Sequence, residues 1–226
     1  MPVAVQSTPT RVPVRTRAAI ARAAPPGTDV PGGGQLLCQY AAEGQIIKLR
    51  ELLEGPYAVA PDDSSAIAIR KAQLRTAAQR AMSCNQLEAL KMLIDHGADL
   101  NFTLGNGRTA AIEACGAGRH EIAAVLFAAG ASTEVVNGYG RTALLEAAFH
   151  GHVACVDTCV RAGANVNFAT KNQGSTAAHF AAQAGHMGVL TKLRECGADL
   201  SIERFGDGKT ALQIQREFVK RQLTNM

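Results

Sequence analysis

The sequence predicts an all-α repeat solenoid, built of stacked helix–turn–helix units joined by short β-hairpin-like loops. Three recurring markers carry that prediction. Thr-Ala dipeptides begin at Thr76, Thr109, Thr142, Thr176 and Thr210, at spacings of 33, 33, 34 and 34 residues. Twenty-one residues after each of the first four comes a Gly-Ala step, at Gly97, Gly130, Gly163 and Gly197. Nine residues after the threonine lies a third marker, Gly118, Gly151 and Gly185, with Asn85 in that place in the first of these units. Three signals held in phase over four units are the signature of a repeat architecture. The composition agrees: 41 of 226 residues are alanine, 4% are aromatic and none is tryptophan, which suits close-packed helices better than a sandwich of sheets.

Within a unit, each marker has a mechanical role. The threonine is placed to cap a helix by accepting from a backbone N–H of its first turn. Gly118, Gly151 and Gly185 end that helix, because glycine tolerates the left-handed conformation of a tight reversal. A second helix follows with apolar residues at helical spacing, such as Ile122, Val125 and Leu126, or Val189, Leu190 and Leu193. Gly97, Gly130, Gly163 and Gly197 close it. An extended stretch then turns through tips such as Asn137-Gly138-Tyr139-Gly140.

The ends are less regular. A first unit fits Gln35 to Gly55, with Ala41, Ala42 and Gly44 followed by Ile46, Ile47, Leu49, Leu52 and Leu53. Extra residues then fall between Tyr57 and Leu74, where Asp62-Asp63-Ser64-Ser65 before Ala66-Ile67-Ala68-Ile69 reads as a capped short helix separate from the unit at Thr76. The last unit, from Thr210, lacks the midway glycine and reads as one closing amphipathic helix. Residues 1–34 contain six of the eight prolines and end in Pro31-Gly32-Gly33-Gly34. That composition is expected to give a flexible basic arm ahead of a repeat domain spanning 35–226, with units near 35, 76, 109, 142, 176 and 210.

Over about residues 35–226 the chain resembles the ankyrin-repeat family, whose unit is about 33 residues long and carries Thr-Pro-Leu-His-x-Ala. The cognate stretches are Thr109-Ala110-Ala111-Ile112-Glu113-Ala114, Thr142-Ala143-Leu144-Leu145-Glu146-Ala147 and Thr176-Ala177-Ala178-His179-Phe180-Ala181. Matching tails are His96-Gly97-Ala98-Asp99-Leu100-Asn101, Ala162-Gly163-Ala164-Asn165-Val166-Asn167 and Cys196-Gly197-Ala198-Asp199-Leu200. Alanine replaces the signature proline in every unit, and the signature histidine survives only as His179. The resemblance implies that the loop-to-loop hydrogen bonds of that histidine are missing elsewhere and that stability is modest.

Several chemistries are set aside on the residues. Arg11, Arg15, Arg17 and Arg22 meet no acid before Asp29, whereas the chain beyond residue 28 carries 19 basic and 19 acidic side chains. The pI near 8.8 therefore belongs to the arm, and a nucleic-acid-binding domain is not indicated. No apolar run approaches the about 20 residues of a membrane span. The pattern His150-Gly151-His152 with Cys155 and Cys159 invites a zinc reading. In register, however, Cys155 takes the place of Ile122 and Val189, and Cys159 that of Leu126 and Leu193, which are core positions. Cys38, Cys84, Cys115 and Cys196 share no common spacing, and without a secretory signal all six thiols are expected to be reduced. Gly105-Asn106-Gly107 and Gly138-Tyr139-Gly140 lack phosphate-loop spacing. Glu113 and Glu146 share a repeat position and read as a solvated face rather than an acid–base pair. No enzyme, cofactor or metal is indicated.

What remains is a surface for another protein. The resemblance implies that hairpin tips and first helices share a concave side used for binding. Carried onto this chain, the tip and loop positions are Asn106, Arg108, Tyr139, Arg141, Asn172, Gln173, Asp207 and Lys209. The first helices add Arg80, Glu113, Glu146, Phe149, His150, Phe180 and Gln183. The aromatic members carry most weight, because large side chains dominate binding energetics. The expected function is a non-catalytic interaction module, a scaffold or adaptor in the cytoplasm. Two other readings stay open: a structural subunit of a larger complex anchored by residues 1–34, or an organellar assembly factor whose Arg-rich arm is a mitochondrial or plastid transit peptide.

Overall fold

The computed structural model describes residues 32–55, 64–100, 103 and 107–224. The arm expected over residues 1–34 lies almost wholly outside them, and so does the tip at Asn106. Among the described residues eleven helices follow in order: α1 (Gly32–Glu43), α2 (Ile46–Glu54), α3 (Ser64–Ser83), α4 (Leu87–Asp95), α5 (Ala110–Gly116), α6 (His120–Ala128), α7 (Ala143–His150), α8 (Val153–Arg161), α9 (Ala177–Ala184), α10 (Met187–Glu195) and α11 (Ala211–Thr224). The odd-numbered helices are the first members of successive units and the even-numbered ones the second. First helices pack on first helices, α1 on α3, α5 on α7, α7 on α9 and α9 on α11. Second helices form a parallel row from α2 to α10. Loops between units carry isolated antiparallel bridges, Thr103 with Thr109 and Glu203 with Thr210, and among the described residues no strand is longer.

Threonine capping holds for the regular units. Thr109 Oγ1 accepts from Ile112 N, Thr142 Oγ1 from Leu145 N and Thr210 Oγ1 from Gln213 N. Thr76 does not cap anything. The short helix expected at Ala66–Ile69 and the helix expected from Thr76 are one, since no glycine or proline interrupts Ser64–Ser83. Thr76 sits in its middle with Oγ1 turned back onto the carbonyl of Ala72, 2.9 Å away. At the start of the chain α1 takes in Gly32–Gly34, so the helix begins three residues before the expected boundary.

The core is small-residue packing between first helices and branched packing between second helices. Ala77, Ala78, Ala110, Ala143, Ala147, Ala177 and Ala181 are fully or almost fully buried where the first helices meet. Ile122, Leu126, Val156, Val189 and Leu193 fill the layer beneath, and Cys155 and Cys159 stand among them with no exposed surface. Thiols in those positions pack as small hydrophobes. Val125 is only half-buried, so it is not the core member its spacing suggested.

The repeat junctions share one device. The residue after each midway turn reaches back to the carbonyl end of the preceding unit's first helix. Arg119 donates to the carbonyls of Met82 and Ser83 at 2.7 and 3.1 Å. His152 Nε2–H reaches the carbonyl of Gly116 at 3.1 Å, and His186 Nε2–H that of Phe149 at 3.2 Å. These carbonyls are among the four that a helix end leaves unsatisfied. Gly151 lies directly beneath His186: it has φ 82°, and a Cβ there would meet His186 Nδ1 at 2.7 Å.

Gly130 provides the comparison, with φ 89° and open space where a Cβ would go. Gly130→Ala is expected to cost about 1 kcal/mol from backbone conformation alone. Gly151→Ala should cost measurably more, because the displaced imidazole is also the cap of α7. Urea unfolding of both variants tests this, and equal midpoints would mean that the His186 contact contributes nothing.

Candidate functional site

The tip at 137–140 is built by one buried side chain. Asn137 is 4% exposed, and its Oδ1 accepts from the backbone N–H of both Tyr139 and Arg141, at 2.9 and 3.1 Å. Its Nδ2 donates to Glu146 Oε1 at 2.6 Å, so the tip is tied to the first turn of α7. Backbone bonds from Asn137 N to the Arg141 carbonyl and from Gly140 N to the Asn137 carbonyl close the turn. Such side-chain-to-backbone bonds are the reason Asn favours turns. The sequence places Asn137 in a turn tip, but carries no signal that its side chain is buried and bonded to Glu146.

The tip presents Tyr139 at 65% exposure and feeds directly into Arg141. The Arg141 guanidinium lies over three rings, 4.1 Å from the Phe149 centroid, 4.8 Å from that of Phe180 and 5.8 Å from that of Tyr139. Phe149 and Phe180 meet edge to face at 6.0 Å, across the α7–α9 junction. Glu146 sits behind the cation, with Oε2 3.8 Å from Arg141 Nη1 and 3.4 Å from His150 Nε2. Phe149 and His150 are held edge to face at 5.0 Å, and His150 stacks on His152 at 6.1 Å. Tyr139, Arg141, Phe149 and His150 therefore form one continuous patch across a tip and the end of a first helix.

Two residues expected on the open face are not there. Glu146 is 3% exposed and Phe180 7%. Glu146 is drawn inward because Asn137, Arg141 and His150 all converge on it, so it is a structural anchor and not a solvated partner of Glu113. Phe180 is covered by Arg141 and Phe149. Each forms the floor beneath the patch.

The remaining expected positions are scattered. Arg108 repeats the role of Arg141: its Nε lies 3.2 Å from Glu113 Oε2, close enough for an ion pair but out of line for an N–H···O hydrogen bond. Its guanidinium rests over Gly116, where a Cβ would be 2.9 Å from Nη2. Arg80 is exposed at the end of α3, beside a groove it shares with Cys38, Ile69 and Thr76. Asn172 and Gln173 are exposed at their tip, and Gln183 accepts weakly from Arg204. Asp207 is clamped by Arg204, whose guanidinium holds the carboxyl far below the usual range. Lys209 turns away to Glu217 of α11 at 2.7 Å. Arg108, Arg141 and Lys209, each directly before a unit threonine, are thus paired with Glu113, Glu146 and Glu217.

The loops are tied together in more ways than one. His179 makes the expected link: Thr176 N–H donates to Nδ1 at 3.1 Å, which places the hydrogen on Nε2, 3.1 Å from the Lys209 carbonyl. Other side chains also bridge neighbouring loops: Asn165 N–H donates to Glu134 at 3.0 Å, in a unit without the signature histidine, and Asp199 N–H to Asn167 Oδ1 at 2.8 Å, across the two loops that His179 joins. The loss of the histidine's bonds in other units therefore does not leave neighbouring loops untied. No group of three or more His, Cys, Asp or Glu side chains among the described residues is arranged to hold a metal ion.

Burial pushes the His179 imidazole below its ordinary value, against the opposing pull of the Lys209 carbonyl. The folded state therefore favours the neutral ring, and stability present above the unfolded value of about 6.5 should fall as pH drops below it. Thermal melts from pH 7.5 to 5 should show a loss that His179→Gln reduces. An unchanged pH slope in the variant would contradict it.

The family model for ankyrin repeats (3 copies) matches residues 37–137 and 126–204, so that the two matches together cover well over half of the chain. No curated protein matches it.

Proposed function

Because the chain belongs to the ankyrin-repeat family, whose repeats are in general protein-interaction modules and typically not enzymes, we propose that it holds a protein partner on its concave side, centred on Tyr139, Arg141 and Phe149. The observation that carries this reading is Tyr139, 65% exposed on a tip whose backbone is fixed by a buried asparagine. An exposed aromatic on a pre-ordered loop loses little freedom on binding, and such anchors dominate interface energetics. Phe149, 38% exposed, extends the same apolar surface toward α9. The Arg141 guanidinium, spread across the rings, gives the patch a cationic centre with little free charge, since Glu146 stands behind it. The surface suits a partner with an apolar side chain to set beside Tyr139 and an acceptor to meet Arg141. Asn172, Gln173 and Gln183 would form its polar rim.

Tyr139→Ala should weaken partner capture from a cell extract by about 2 kcal/mol, roughly thirty-fold. It should move stability by less than about 0.5 kcal/mol, as surface changes usually do. Phe149→Ala should weaken capture too, with an added stability loss on the order of 1 kcal/mol from the lost stacking on Arg141. Leu126→Ala, in the core, should destabilise by about 2–5 kcal/mol while leaving the folded fraction able to bind. Full retention of partner by folded Tyr139→Ala would overturn the proposal.

A further inference from the structure

Three cysteines that the sequence scatters converge between two units. Cys115 lies near the end of α5, Cys155 and Cys159 lie four residues apart on α8, and none of the three has exposed surface. Cys115 Sγ stands 3.4 Å from Cys159 Sγ, and all three are free thiols. Sulfurs this close need to shorten their separation by little more than an ångström to reach a bond of about 2.05 Å, a movement within reach of side-chain rotation.

We propose that Cys115 and Cys159 are an oxidation site of this protein, closing to a reversible disulfide when the chain meets a peroxide. One sulfur attacks a peroxide oxygen and the O–O bond breaks; the thiol proton leaves with the departing hydroxide as water, and a sulfenic acid remains. The second thiol displaces its hydroxyl, which takes that thiol's proton and departs as a second water. Two thiols are oxidised by two electrons, and one peroxide is reduced to two waters.

The 3.4 Å contact between the two sulfurs, not the acidity of the thiols, favours this outcome over simple packing. Cys115 is pushed well up by its contacts with the Cys155 and Cys159 sulfurs and then by burial, whereas the hydrogen bond from Cys115 pulls Cys155 down. The sulfurs thus share protons within one cluster, and each first product has a neighbouring thiol to resolve it. Complete burial means that reagent enters only when α5 and α8 separate, so the reaction is slow and its product pins that seam. The same seam is held by the His152 bond to the carbonyl of Gly116, next to Cys115. This inference does not rest on the proposed binding surface.

The test uses the full chain carrying Cys84→Ser, which removes the exposed thiol, treated folded with hydrogen peroxide and alkylated after unfolding. The expected result is loss of two alkylatable thiols, a mass lower by two hydrogens, and a linked pair of peptides that separates on reduction. Cleavage at Asp157, between Cys155 and Cys159, assigns the partner of Cys115. Cys155→Ala should retain the link and Cys159→Ala should lose it. Retention of every thiol, a Cys115–Cys155 link, or sulfinic acid alone would overturn the proposal.

Discussion

The structure depends on one recurring constraint: the carbonyl end of each first helix must find donors, and it finds them in the next unit. Arg119 supplies them for α3, His152 for α5 and His186 for α7. The turn at each junction needs a left-handed residue; Gly118 and Gly151 supply it where the next unit's histidine would meet a Cβ, and Asn85, at φ 57°, supplies it where Arg119 is the cap. Glycine spacing and the following polar residue are therefore one device seen at two positions. At the end of the stack Phe218 covers Gly185 in the same way, its ring taking the room a Cβ would need. With each unit completed by its neighbour, stability spreads along the stack by nearest-neighbour contact.

The patch proposed to bind a partner inherits its order from the same construction. Asn137 fixes the tip, Glu146 fixes Asn137 and Arg141, and the Phe149–Phe180 contact joins that unit to the next. The arginines before the threonines do not form a free basic ladder, since Arg108 and Arg141 each face a glutamate of their own unit. The Arg108–Glu113 pair is half exposed and contributes little to stability, whereas Glu146 is buried beneath Arg141. The effect of both pairs is to position guanidinium groups over glycine or aromatic surface, leaving shape and apolar area to decide what binds.

The register of the solenoid was legible because it rests on backbone requirements that few residues meet. Thr109 and Thr142 cap where the period places them, and Cys155 and Cys159 pack where Ile122 and Leu126 do. Thr76 misled because the same dipeptide can cap a helix or sit inside one; only the unbroken run from Ser64 distinguishes the two. Glu146 and Phe180 misled for a different reason. Repeat position says which way a side chain leaves the helix, but not that Asn137, Arg141 and Phe149 will cover it. Cys115 offered no spacing signal, since its neighbours come from the following unit and from a helix of the other row.

The account turns on which side of the stack a partner meets. A photo-crosslinking residue placed at 139, on the tip, and at 128, exposed on the second-helix side, separates the two directly. Irradiation of the full chain with its captured partner should give a covalent adduct from position 139 and none from 128. An adduct from position 128 alone would contradict the account.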